Sequence, residues 1–228
     1  MKEYKYRPVR FYITCYAATW SFWIAAAIIS RTPNDNGIST IFMLFGLIAP
    51  SITAIVTVMT SGSDALKRDF RQKITGFYRI KPFNVLLAIL LFAAVVAISI
   101  LFSTLFGGSM RQFSFTEDFS FSVGGTSALL TILLASVIEE TAWRGYGEDA
   151  IGSYFPWCTE SVIFGCIWAA WHLPLFWIEG TYHYGLTQLG IVYVLNFLVS
   201  VIPMNFLTTW VYVKTTAACS HASSCTFS

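Results

Sequence analysis

The chain of 228 residues is 56% hydrophobic and 17% aromatic, and only 11% of it is charged, against about 25% charged residues in a soluble domain. So little charge cannot cover a water-facing surface, and the composition points to an integral membrane protein, read as a single domain over residues 1–228. The net charge of +2 gives no argument for a nucleic-acid partner, and Cys15, Cys158, Cys166, Cys219 and Cys225 form no CxxC pair and no disulfide framework.

A bilayer-spanning helix needs about 20 mostly apolar residues. Runs of that kind cover residues 11–30, 38–60, 84–106, 124–143, 157–178 and 188–213. They predict an all-α fold, a polytopic transmembrane helix bundle of about six to seven spans. The first run lacks a small-residue cleavage site and reads as a retained helix. The third is free of charge over residues 85–106, and the last is expected to break near Pro203. Turn-rich segments such as Arg31-Thr32-Pro33-Asn34-Asp35-Asn36-Gly37 separate the runs, with no internal repeat.

Cations orient the chain. Lys2, Lys5, Arg7 and Arg10 precede the first run, and Lys67, Arg68, Arg71, Lys73, Arg79 and Lys81 fall between the second and third. With Arg144 and Lys214 they lie on one side if each run crosses once, leaving Arg31 and Arg111 on the other. The N-terminus is therefore expected in the cytoplasm, with the end of the fourth span facing the cytoplasmic half. The basic loop reads first as a topology determinant, with anionic lipid headgroups as its second reading.

The fourth run ends in Glu139-Glu140-Thr141-Ala142-Trp143-Arg144. Charge at membrane depth is costly, so ionisable residues there mark candidate functional sites. Glu140 and Arg144 stand four apart in the favourable ion-pair order. Glu139 points about 100° away around the helix and lacks that partner. Glu140 therefore reads as a strut and Glu139 as a candidate general base for activating water. The competing reading of both is an ion-pair network joining two helices.

In the fifth run, Trp168-Ala169-Ala170-Trp171-His172-Leu173-Pro174 places Trp168 and His172 on one face. Pro174 is expected to loosen the helix after the histidine. An intramembrane histidine is commonly an interhelical hydrogen-bonder, but with a carboxylate nearby it can also relay protons from water. His221 alone reads as a solvated tail residue. His183, in Gly180-Thr181-Tyr182-His183-Tyr184-Gly185, reads as an interfacial residue of an outer loop without a part in the chemistry.

Together these segments resemble the motifs of the CPBP family, the CAAX protease and bacteriocin-processing group of intramembrane endopeptidases, also called Abi. Glu139-Glu140-x-x-x-Arg144 is similar to its first motif. Trp168-x-x-x-His172-Leu173-Pro174 is similar to its second, with Trp where Phe is commoner. Thr209-Trp210-Val211-Tyr212-Val213-Lys214-Thr215 looks like the lead-in to its last motifs, and His221 matches the histidine there. The resemblance covers residues 125–221. It implies an endopeptidase of membrane-associated peptides, including prenylated CAAX-type substrates, with its active site open to the cytoplasmic side and the membrane. Glu139 and His172 would hold and deprotonate water, His221 would stabilise the oxyanion, and Glu140, Arg144 and Trp168 would support them. The resemblance leaves metal open. The reading here is metal-independent, and a zinc-dependent variant would use Glu139, His172 and His221 as ligands.

Cys225 stands where the family usually has Asn, and residues 215–228 are too short and polar to span a bilayer. The expectation is an altered C-terminus with a poorly packed tail. It keeps in play an alternative of another class, a catalytically impaired membrane scaffold or bacteriocin-immunity-type protein of the same fold. A proton-coupled transporter is the third reading, although paired halves are not evident. Membrane lipid and a peptide or prenylated protein are the expected partners, with no nucleic acid.

Overall fold

In a computed structural model, residues 4–75, 82–113 and 128–220 are described. All regular structure among them is helical. The chain falls into two units, Met1–Thr75 with Phe121–Thr209, and Gly76–Ser120 with Trp210–Ser228.

The first unit opens with α1 (Pro8–Ile29) and α2 (Ile38–Met59), both long and apolar enough to cross a membrane. Pro8 begins α1 where no intrahelical N–H is required. Phe11, Cys15, Thr19, Trp23 and Ala26 recur at helical spacing and form its buried face. Gly46 of α2 lets Trp23 in, since a Cβ there would lie 2.3 Å from the indole. Pro50 lacks the N–H that would bond the Gly46 carbonyl within α2. Thr19 Oγ1 donates to that carbonyl at 3.1 Å, so the proline's cost is met by the neighbouring helix. Ahead of α2, Asp35 accepts from Ser39 N at 2.7 Å and Ser39 Oγ at 2.6 Å. These bonds hold its carboxyl below the ordinary range.

The loop after α2 contains α3 (Asp64–Thr75), amphipathic, with Leu66 and Phe70 buried. Then come α5 (Ala128–Ala142), a π-helical turn at Trp143–Gly147, and α6 (Glu148–Gly152). Ser51 Oγ of α2 donates to the Ile138 carbonyl of α5. Lys73 of α3 pairs with Asp149 of α6, and Tyr6 OH donates to the same carboxylate at 3.4 Å. The N-terminus, the basic segment and the chain just beyond Glu139-Glu140 thus meet at one end of this unit.

The expected span over residues 157–178 is not a single helix. α7 (Trp157–Trp171) stops at His172, and a 3-10 turn (Leu173–Trp177) leads to α8 (Tyr182–Leu189), bent by 80° from the segment before it. Pro174 ends the α-helical pattern because it lacks a backbone donor, and the 80° bend itself falls at residues 178–181, where Gly180 has φ +80°. A freed carbonyl of that end is bonded from outside, Trp20 Nε1 donating to Trp171 O at 3.2 Å, and Tyr16 OH donates to Ile167 O one turn earlier. Gly190, at φ +121°, separates α8 from α9 (Ile191–Ser220). α9 contains Pro203 without interruption, against the expected break. Gly165 of α7 lets α9 approach, with the Ile202 Cα only 3.1 Å from where a Cβ would stand.

The second unit contains α4 (Pro82–Thr104), an uncharged helix of 23 residues, and a 3-10 turn at Met110–Phe113. Throughout the described helices, large apolar side chains such as Ile13, Ile28, Phe45, Val95 and Val192 face outward. In water that surface would drive association, but against lipid chains it carries no such penalty. The fold is an all-α membrane bundle.

Candidate active site

Glu139 closes α5 and His172 caps α7, and Trp168 joins them. Its indole Nε1 donates to Glu139 Oε2 at 3.0 Å. Its main-chain carbonyl is 2.7 Å from His172 Nδ1. A carbonyl can only accept, so Nδ1 carries the proton and Nε2 of the neutral ring keeps its lone pair. Helical spacing puts carbonyl and ring in register, since Trp168 is one turn before His172. The helix end frees that carbonyl, because the residue after Trp171 has left the α-helical pattern. Phe164 stacks on Trp168 with ring centroids 6.1 Å apart, and Trp171 meets the imidazole edge-on at 4.9 Å. His172 is 8% exposed.

Glu140 and Arg144 pair at 3.4 Å, and the Glu140 side chain is 45% exposed. Arg144 has a closer and more buried carboxylate in Glu148, at 2.9 Å, with side chains only 8% and 4% exposed. The π-helical turn carries the guanidinium between the two acids, one four residues before it and one four after. Its Nη2 also donates to Asn205 Oδ1 at 3.2 Å and Thr208 Oγ1 at 2.5 Å on α9. The plane of Phe164 lies under it at 5.1 Å. Asn205 Nδ2 in turn donates to Ser161 O of α7 at 2.8 Å. Arg144 therefore ties the end of α5 to α7 and α9 through more than Glu140 alone.

Glu148, Asn205 and Thr208 were missed in the sequence. Glu148 had a signal, since it stands at the same spacing after Arg144 as Glu140 does before it. Asn205 is a lone amide in an apolar helix, which also marks an interhelical bond. His183 is on a helix and not in the expected loop. It lies on α8 with its ring stacked on His172, centroids 5.5 Å apart. The bend after Pro174 turns α8 back against the end of α7, and spacing alone does not foretell that.

His221 and Cys225 lie outside the described residues. Among the described residues, no three His, Cys, Asp or Glu side chains gather as a metal site; the third member of the zinc set considered above is His221.

Helices and site together make this a helical membrane protein in which one tryptophan bridges a carboxylate and an imidazole. The profile of the type II CAAX prenyl endopeptidase Rce1-like family matches residues 121–223. The chain is 35% identical over 214 residues to CAAX prenyl protease 2 of Methanococcus maripaludis, an alignment covering 94% of this chain and 79% of that protein. The chain belongs to the type II CAAX prenyl endopeptidase Rce1-like family, within the CPBP group.

Proposed function

We propose that the protein is an intramembrane endopeptidase that hydrolyses the C-terminal peptides of prenylated CAAX-type proteins, with Glu139 as general base. The observation carrying this reading is the Glu139–Trp168–His172 connection. Trp168 engages Glu139 Oε2 and His172 Nδ1, and the other carboxylate oxygen and the Nε2 lone pair are assigned to a single water. In the reaction, Glu139 takes a proton from the water while His172 Nε2 accepts a hydrogen bond from its other hydrogen. The water oxygen bonds to the scissile carbonyl carbon, and the carbonyl electron pair moves to oxygen. Collapse breaks the C–N bond, and the departing amine takes the proton from Glu139. His221 is assigned to the oxyanion, where a single donor contributes roughly 3 kcal/mol. Glu140, Arg144 and Trp168 support the two reacting groups. The active site is assigned to the cytoplasmic half, where such a substrate is presented.

Peptide release from a farnesylated CAAX peptide by the purified full chain in detergent tests this. Glu139→Gln should lower the rate by about 10²–10⁴, the usual contribution of a general base, and His172→Ala and His221→Ala should each be strongly impaired. Unchanged release by Glu139→Gln would remove the assignment. No release by a folded wild-type chain would favour the scaffold reading. A chelator series in the same assay decides whether a metal takes part.

A further inference from the structure

A cavity of about 830 Å³ lies between the start of α1, the last turns of α2 and the start of α3, and neither Glu139 nor His172 lines it. Among the described residues its lining includes Lys5, Arg7 and Arg10 against one carboxylate, that of Asp64. All three cations are exposed, and the ion pairs among the described residues engage none of them. Hydroxyl groups of Thr57, Thr60 and Ser61 stand nearby in the same lining. The apolar part of the lining includes Ile52 and Val56 of α2, one turn apart and 55% and 53% exposed. They belong to the outward apolar face of a membrane-length helix.

Charge at the mouth and aliphatic side chains along a spanning helix match the layering of a lipid monolayer, headgroup above and chains below. The volume falls in the range of sites that enclose a small ligand. A soluble phosphate would use the cations and leave Ile52 and Val56 without a function. We propose that this cavity binds an anionic glycerophospholipid, with its phosphate held by Lys5, Arg7 and Arg10 and its acyl chains laid along Ile52 and Val56. The site differs from the cationic face of α3, which attracts any anionic surface. It also reaches the π-helical turn, because Tyr146 is among its lining residues and accepts from Arg7 N at 3.4 Å. A lipid seated there braces the N-terminal segment against the chain beyond Glu139.

The test uses the full chain in phosphatidylcholine nanodiscs titrated with phosphatidylglycerol, reading lipid retention by native mass spectrometry and the thermal midpoint. Phosphatidylglycerol should be retained over phosphatidylcholine by roughly tenfold and should raise the midpoint, since each cation near an anionic lipid contributes measurably. Arg7→Gln/Arg10→Gln should lose the preference. Val56→Trp, which fills the wall and keeps the cations, should lose it too. Lys67→Gln/Arg68→Gln/Arg71→Gln on α3 should keep it. If the α3 variant loses as much as the Arg7/Arg10 variant, the attraction is diffuse and the site is overturned. Inorganic phosphate raising the midpoint as much as phosphatidylglycerol would overturn the lipid in favour of a free anion. If Arg7→Gln/Arg10→Gln does not fold, Lys5→Gln and Val56→Trp decide, and unchanged retention in both would end the proposal.

Discussion

Trp168 was legible as a neighbour of His172 and not as the partner of Glu139. Helical spacing sets the first relation, whereas the second is a contact between two helices that only packing creates. Losing the indole N–H removes the donor that Trp168 gives Glu139 in a poorly solvated place, and a hydrogen bond to a charged group contributes about 1.5–3 kcal/mol. Trp168→Phe, which keeps the ring against Phe164, should therefore lower kcat by roughly tenfold or more with KM little changed, as measured by initial-rate profiles. An equal loss through KM alone would make Trp168 a substrate contact instead. Arg144 poses a different question, because its partners are structural. Arg144→Met strands Glu148 beside it and should cost about 3–5 kcal/mol of stability, read as a shift in denaturant midpoint in detergent. Adding Glu148→Gln should restore part of that loss, since the two residues are in contact.

The helices themselves were largely visible in the sequence, because a span is a matter of length and apolarity. α1, α2 and α9 lie on the expected runs. The exceptions both involve proline. Pro174 ends α7 and Pro203 does not end α9, although the same residue type stands in both. Whether a proline breaks a membrane helix depends on what bonds the freed carbonyl and on how neighbouring helices hold the backbone, and neither is a property of the local sequence. Close approach is likewise an inter-element fact. Gly165 lets α7 lie against the backbone of α9 at Ile202, so Gly165→Leu should overpack that contact by about 1–3 kcal/mol. The expected result is a lower unfolding midpoint together with reduced peptide release, because α7 carries His172 and α9 carries Asn205. A midpoint equal to wild type would mean the helices separate there at no cost.

For the whole molecule, we propose the orientation that the cation pattern predicts, with the N-terminus in the cytoplasm. The pairs Lys73–Asp149 and Arg31–Glu179, the latter at 3.7 Å, each join segments that the crossing pattern places on one side. Single cysteines on a cysteine-free background would test it. Thr32→Cys should react with a membrane-impermeant maleimide from outside the cell, and Ser61→Cys only after permeabilisation. The reverse labelling would invert the orientation and with it the side from which substrate enters.

By itself, the sequence determined that this protein lives in a membrane, where most of its helices run, and that Glu139, His172 and Arg144 stand as ionisable groups in or beside apolar segments. Each rests on something local: missing charge, run length, or an ionisable residue in an apolar segment. The tertiary structure alone decided that Trp168 bridges the acid to the imidazole, that Arg144 serves Glu148 and Asn205 as well as Glu140, and that His183 folds back onto His172. Those relations join residues far apart in the chain, and they follow from helix ends and side-chain packing rather than from any periodicity along it.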